Sequence, residues 1–315
     1  MPLDRWLPPK PRTFAAAAGW ACLLAAVVGC GDRRVEFQRN ELLHTVAGLT
    51  EQQSVAIDTA LLSLFGTADE PRLPTDVPEL ASLVEEDRLR QAGGPVISHE
   101  PGVTQGLYRR HCARCHGVTG DGRGPVARHL SPLPRDFRRG LFKWKSTYGA
   151  TPPTDEDLHA VLRRGVPGTS MPSFARLSDS ELATLVDYVK HLAVRGQTER
   201  ALVEFVAEEL AIEESPDLRG PQRDAFLGDW LAPIARSWRA ADERVVTAPT
   251  APTSSDAVEA GRELYHSERA GCVKCHGAAG QGGAVAGVDY PLDYDRWTRD
   301  LVEASAVADA ETLLK

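Results

Sequence analysis

The chain has 315 residues, enough for about two domains at roughly 150 residues each. With 42% apolar and 25% charged residues it is neither a disordered tail nor a polytopic membrane protein. Aromatics are only 6% while Gly (27) and Pro (22) are plentiful, so something other than a large aromatic core has to organise it, and the formal charge of −8 averages over unlike segments.

Arg5, Lys10 and Arg12 precede an apolar run from Phe14 to Gly29. Its 16 residues fall short of the ~20 that a spanning helix needs and suit a secretory signal, so residues 1–29 are expected to be a leader. The ending Val27-Val28-Gly29-Cys30 resembles a bacterial lipobox, which implies lipid attachment at Cys30; an uncleaved anchor and simple secretion are the other readings. All three place the body of the protein outside the cytoplasm, on the periplasmic side of a bacterial membrane. Cys22 is most simply an apolar leader residue.

Residues 30–101 read as a helical stalk or platform. Leu42, Leu43 and Val46, then Val55, Ile57, Ala60, Leu61 and Leu64, recur at helical spacing, with a break near Gly48 and a stop at Gly66. A Pro-rich passage, Pro71 to Pro78, leads to a short charged helix around Leu80 to Arg90, and Gly93-Gly94-Pro95 marks the boundary. His44 and His99 stand isolated.

Residues 102–196 form the clearest domain. A helix through Leu107, Tyr108 and Cys112 closes at Gly117, and a Gly-rich loop follows. Thr154 starts a short helix (Leu158, Val161, Leu162) that stops at Gly165; Ser178 and Glu181 make a capping box that opens an amphipathic helix through Leu182, Leu185, Val186, Val189 and Leu192. Residues 197–255 read as an acidic helix from Glu199 to Glu214, a second around Asp224 to Ala241 with Trp230 and Trp238 as packing anchors, and a Pro/Thr/Ala linker from Thr247 to Ser255. Residues 256–315 begin a second copy of the layout at 102–196. The expected fold class is all-α.

Four of the six cysteines form two identical patterns, Cys112-Ala-Arg-Cys115-His116 and Cys272-Val-Lys-Cys275-His276. On a helix, residues i and i+3 share a face, so both thiols can reach the vinyl groups on one edge of a haem while the following imidazole addresses the iron. C-x-x-C-H is the attachment signature of c-type haem. A redox dithiol fits less well because no thioredoxin-like frame precedes either copy, and a shared zinc site would have to join knuckles ~160 residues apart. Two covalent haems c are therefore expected, on Cys112 and Cys115 and on Cys272 and Cys275.

Between Tyr108 and Lys190 the sequence resembles a class I cytochrome c domain. The elements that carry the resemblance are Tyr108, the CxxCH motif, Gly124-Pro125, Gly168-Thr169-Ser170-Met171-Pro172 and the helix Leu182 to Leu192. It implies His116 as the proximal iron ligand, Met171 as the distal one, and the Pro125 carbonyl as partner of the second imidazole nitrogen. Thr104 departs from the family, which usually has Gly there for close contact with the C-terminal helix. Met171 also stands out unaided, since the only other methionine is Met1. A thioether stabilises ferrous iron and raises the reduction potential, and two filled axial positions favour electron transfer over oxygen or peroxide chemistry. Asp136 to Arg139 and Phe142 to Lys145 are expected in a long loop on the Met side, as donors to the propionates or as plain surface.

The second site is incomplete in sequence. His276 is the expected proximal ligand, but the 55-residue offset from His116 to Met171 would place a distal ligand at 331, beyond Lys315, and neither Met nor His follows His276. Three accounts stay open: a truncated form of a longer dihaem protein, an open sixth position, or a ligand from elsewhere. His266 is a poor choice because it would have to cross the haem. Tyr265 stands seven residues before Cys272 where Tyr108 stands four before Cys112, so an extended or bulged helix is expected.

Charge is segregated. Residues 30–101 carry 6 basic and 13 acidic side chains, 102–196 carry 15 and 8, and 197–315 carry 12 and 22. The basic middle either steers toward other redox proteins with an acidic docking face or pairs with propionates and the chain's own acidic flanks. Nucleic acid is not an expected partner of an exported haem protein. The leading function is a membrane-attached dihaem c-type cytochrome carrying one electron at a time in an exported respiratory chain, and not an enzyme. A dihaem peroxidase-like enzyme with an open second haem, and a structural haem subunit of an oxidase complex, are the alternatives.

Overall fold

The computed structural model describes residues 35–74, 77–95, 102, 104–210, 216–218, 220–247 and 252–280. The expected leader (residues 1–29), Cys30, His99 and everything after Gly280 lie outside the described residues. The chain divides at Val35, and all that follows concerns the unit beginning at Glu36. The described residues form helices and isolated bridges and no strand, an all-α fold. Among them, no helix is long and apolar enough to cross a membrane.

The platform contributes α1 (Glu41–Val46), α2 (Glu51–Phe65), α3 (Pro78–Ala81) and α4 (Glu86–Ala92). Thr50 and Gln53 make a reciprocal capping box that starts α2 after the break at Gly48. The haem-motif region supplies α5 (Leu107–His111) and α6 (Ala113–His116), then α7 (Asp155–Arg164) and α8 (Asp179–Glu209). Two further boxes, Thr154 with Asp157 and Ser178 with Glu181, open α7 and α8. After Leu210 come α9 (Gly220–Phe226), a π-helical turn Leu227–Leu231 and α10 (Ala232–Arg239), then α11 (Ser255–His266) and α12 (Cys272–His276).

α8 is the axis of the fold. The sequence pattern suggests two helices separated near residue 196, yet one 31-residue helix runs through that point. Gly196 is the reason the turn at 137–139 can lie against it: a Cβ there would stand 2.3 Å from Arg138 Cα. Glycine inside a helix costs about 1 kcal/mol, which this close packing offsets.

The apolar stripe Leu182, Leu185, Val186, Val189 and Leu192 is buried, but so is much of the rest of the α8 surface. The platform covers it: Ile57, Leu61, Leu64 and Phe65 from α2 and Leu89 from α4 join Leu107 and Tyr108 in one core. Polar residues on the covered faces find partners across it. Asp187 accepts from Glu85 N–H at 3.1 Å and from Arg88 at 3.2 Å, and Lys190 donates to Asp155 at 2.8 Å.

Farther along α8 a buried ionic group ties down the start of the platform. Glu199 accepts from Asn40 N–H at 2.6 Å, and its carboxylate faces His44 at 3.5 Å and Arg195 at 3.6 Å. Burial works to raise the Glu199 pKa, but His44, Arg195 and the Asn40 N–H together hold it below the usual carboxylate range. The Arg195 guanidinium also lies 4.6 Å from the centre of the Phe37 ring. His191, ringed by Phe37, Phe65 and Tyr188, is pushed down to about 3 by burial and is neutral. His44, isolated in sequence, is thus part of an interface.

Candidate haem site

Cys112 sits at the break between α5 and α6, and its carbonyl accepts from Cys115 N–H at 3.0 Å and His116 N–H at 2.9 Å. This single turn brings Cys112, Cys115 and His116 to the wall of one cavity of about 360 Å³, which Met171 also lines. Much of the remaining wall is apolar, including Leu158, Leu162, Leu185, Val186 and Val189. Both thiols are free, and burial pushes Cys112 up to about 12, so it stays protonated. A haem joined through thioethers suits these walls, since a thioether at Cys112 buries no charge.

His116 is poised as a ligand. Its Nδ1 lies 3.0 Å from Arg135 O. A carbonyl can only accept, so Nδ1 carries the proton and Nε2 keeps its lone pair. Burial lowers the His116 pKa and keeps the ring neutral. Phe137 stacks on the imidazole with ring centres 4.5 Å apart and planes 18° off parallel, and Phe142 stacks on Phe137 in turn.

The carbonyl that meets Nδ1 therefore belongs to Arg135, not to Pro125 as the family resemblance implies. Gly124-Pro125 is held against α6 by hydrogen bonds from Gly124 N–H to Cys115 O and from Val126 N–H to Arg114 O. Arg135 reaches the ring because its loop folds back: Phe137 N–H donates to Gly120 O at 2.8 Å, and Asp136 grips both the backbone N–H and the guanidinium of Arg138. The Asp136 to Arg139 stretch thus serves the imidazole rather than the Met side. Of the expected propionate donors, Lys143 and Trp144 line the cavity, whereas Arg138 is paired with Asp136 and Lys145 donates to oxygens of Thr147, Gly149 and Thr151; Arg135, outside both expected stretches, lines the cavity as well.

Tyr108 locks the motif to the core. Its hydroxyl donates to Gly117 O at 2.8 Å, and its ring lies 4.7 Å from that of Tyr188 on α8. Thr104 is exposed, and the close approach near this helix falls instead at Gly106, where a Cβ would stand 2.3 Å from Ala92 O.

The second motif repeats this device. Tyr265 donates to Gly277 O at 2.7 Å, the same link to the residue after the motif histidine. The three extra residues do not bulge the helix: α11 ends at His266, a turn follows, and Gly271 at φ +64° starts α12. Both ring nitrogens of His266 face carbonyls, Arg262 O and Ala278 O, each at 3.0 Å. That ties His266 to its own helix and to the loop after the motif. Cys272 is half-buried, His276 is exposed and no residue of α11 is buried.

Residues 102–189 match the family model described as cytochrome C oxidase, cbb3-type, subunit III. A solved chain of the Kuenenia stuttgartiensis reducing HAO-like protein complex Kustc0457/Kustc0458 is 27% identical, covering 55% of this chain and 60% of that one with a TM-score of 0.37. This chain therefore spans less than two thirds of that relative. No curated protein matches. The region around the first motif is a cytochrome c domain, which implies covalently bound haem c and electron transfer.

Proposed function

We propose that this protein is a membrane-attached dihaem c-type cytochrome that relays electrons one at a time in an exported respiratory chain. The observation that carries the reading is the meeting of two free thiols, a neutral imidazole with Nε2 unprotonated, and a lone methionine on one largely apolar cavity. Haem c bound there supplies a one-electron ferric/ferrous couple. Cys112 and Cys115 would fix it covalently, and His116 and Met171 would hold its iron. Phe137, Phe142 and the aliphatic side chains make the lining largely apolar, which suits a carrier better than a site for oxygen or peroxide chemistry.

The second motif would hold the second haem through Cys272, Cys275 and His276, the repeat of the tyrosine link being its support. The N-terminal Cys30 would bind the chain to the membrane, on the strength of the leader pattern alone. The 15 basic against 8 acidic residues of 102–196 suit docking to acidic faces of other redox proteins. The matched family model describes a subunit of an oxidase, which favours a second reading, a haem subunit held in a larger complex. Isolation of the chain from membranes as part of an oxidase would select that reading over a free carrier.

A redox titration of the purified protein with optical detection tests the carrier. Two reversible one-electron steps are expected, with peroxide turnover no higher than that of free haem. Turnover well above free haem would instead make the protein an enzyme.

A further inference from the structure

The loop that carries Met171 is closed by one hydroxyl and two backbone hydrogen bonds. Thr169 Oγ1 donates to Val166 O at 2.8 Å and accepts from Met171 N–H at 3.1 Å. Val166 N–H donates to Met171 O at 3.2 Å, and Thr169 N–H to Val166 O at 3.1 Å. Both backbone polar groups of Met171 are thus committed within the stretch 166–171, one directly and one through a side chain that acts as donor and acceptor at once. The next limb of the loop is fixed independently, by Ser173 Oγ donating to Arg163 O and Phe174 N–H to Leu162 O.

A methionine side chain has three rotatable bonds and adapts readily to its surroundings. Holding its sulfur in one place therefore depends on fixing the backbone from which it springs. Thr169, Met171 and Pro172 all stand on the cavity wall, so a shift of this short ring moves the thioether directly. We infer that Thr169 is a positioning residue for Met171, its hydroxyl pinning the loop so that the thioether stays at the iron position. The inference rests on Met171 being the distal ligand, and its test separates the two.

The test is the rate of carbon monoxide binding to the ferrous full-length holoprotein, read as the phase that Met171→Ala accelerates. Thr169→Val keeps the shape of the side chain and removes the hydroxyl; it is expected to speed that phase about five- to ten-fold over the wild type, as the loss of one or two net hydrogen bonds implies. Thr169→Ser keeps the hydroxyl and should return the rate to the wild-type value. Ser173→Ala, which removes the other side-chain link of the same loop, should leave the rate unchanged even if it lowers the melting temperature. A wild-type rate in Thr169→Val, or an equal acceleration in Ser173→Ala, would overturn the positioning role while leaving the ligand standing. A Met171→Ala protein as closed to carbon monoxide as the wild type would overturn the ligand itself.

Discussion

Replacing Met171 by alanine lowers the midpoint potential of one haem by on the order of 0.2 V, a fraction of the ~0.8 V span that axial ligands command. The thioether favours ferrous iron, and alanine leaves either water or nothing in its place. No second methionine is at hand to substitute, because Met1 is the only other one in the chain. Among the described residues the cavity has one other imidazole, His111, which sits one residue before Cys112 and against Phe174. Potentiometry with optical detection checks the shift. An unchanged potential and visible spectrum would refute the assignment of Met171.

Replacing Glu199 by leucine costs about 3–5 kcal/mol of stability, the usual consequence of removing one partner of a buried ion pair. Arg195 would keep its charge in a buried site without the carboxylate, and Asn40 N–H would lose its acceptor. Glu199→Gln retains an oxygen for Asn40 and should cost less. Replacing Arg195 by methionine together with Glu199→Leu should recover part of the loss, because no unpaired charge remains. Denaturant titration of the holoprotein measures all three. A loss under about 1 kcal/mol for Glu199→Leu would mean that the platform is not held through this residue.

The two results concern opposite kinds of information in the sequence. Met171, the CxxCH turn and the capping box at Ser178 are legible because their meaning is local: a spacing of three on one helix face, a lone thioether, an oxygen three residues before a glutamate. The all-α class follows from the same local periodicity. His44 could not be read this way, since its partner Glu199 lies on another helix 155 residues later, as the numbers themselves show. Nor could Arg135, which acts through its backbone carbonyl and leaves no side-chain signature.

The apparent gap at residue 196 misled for a related reason. The apolar stripe ends at Leu192 and the acidic helix is expected from Glu199, whereas Gly196 between them admits the Arg138 backbone against an unbroken helix. The displaced Tyr265 is a milder case. The sequence pattern suggests an extended or bulged helix, and a turn ending at Gly271 absorbs the extra residues while the tyrosine keeps its bond to Gly277. The motif geometry is preserved by a hydrogen bond that spacing alone does not reveal.

The central claim is that both motifs carry covalent haem. Mass spectrometry of a proteolytic digest of the purified protein tests it most directly, with pyridine haemochrome spectra giving the haem content per chain. The account predicts one haem on the peptide holding Cys112 and Cys115, another on the peptide holding Cys272 and Cys275, and two haems c per polypeptide. Unmodified cysteines in the first peptide would contradict the account as a whole, and unmodified cysteines in the second alone would reduce the protein to a monohaem cytochrome.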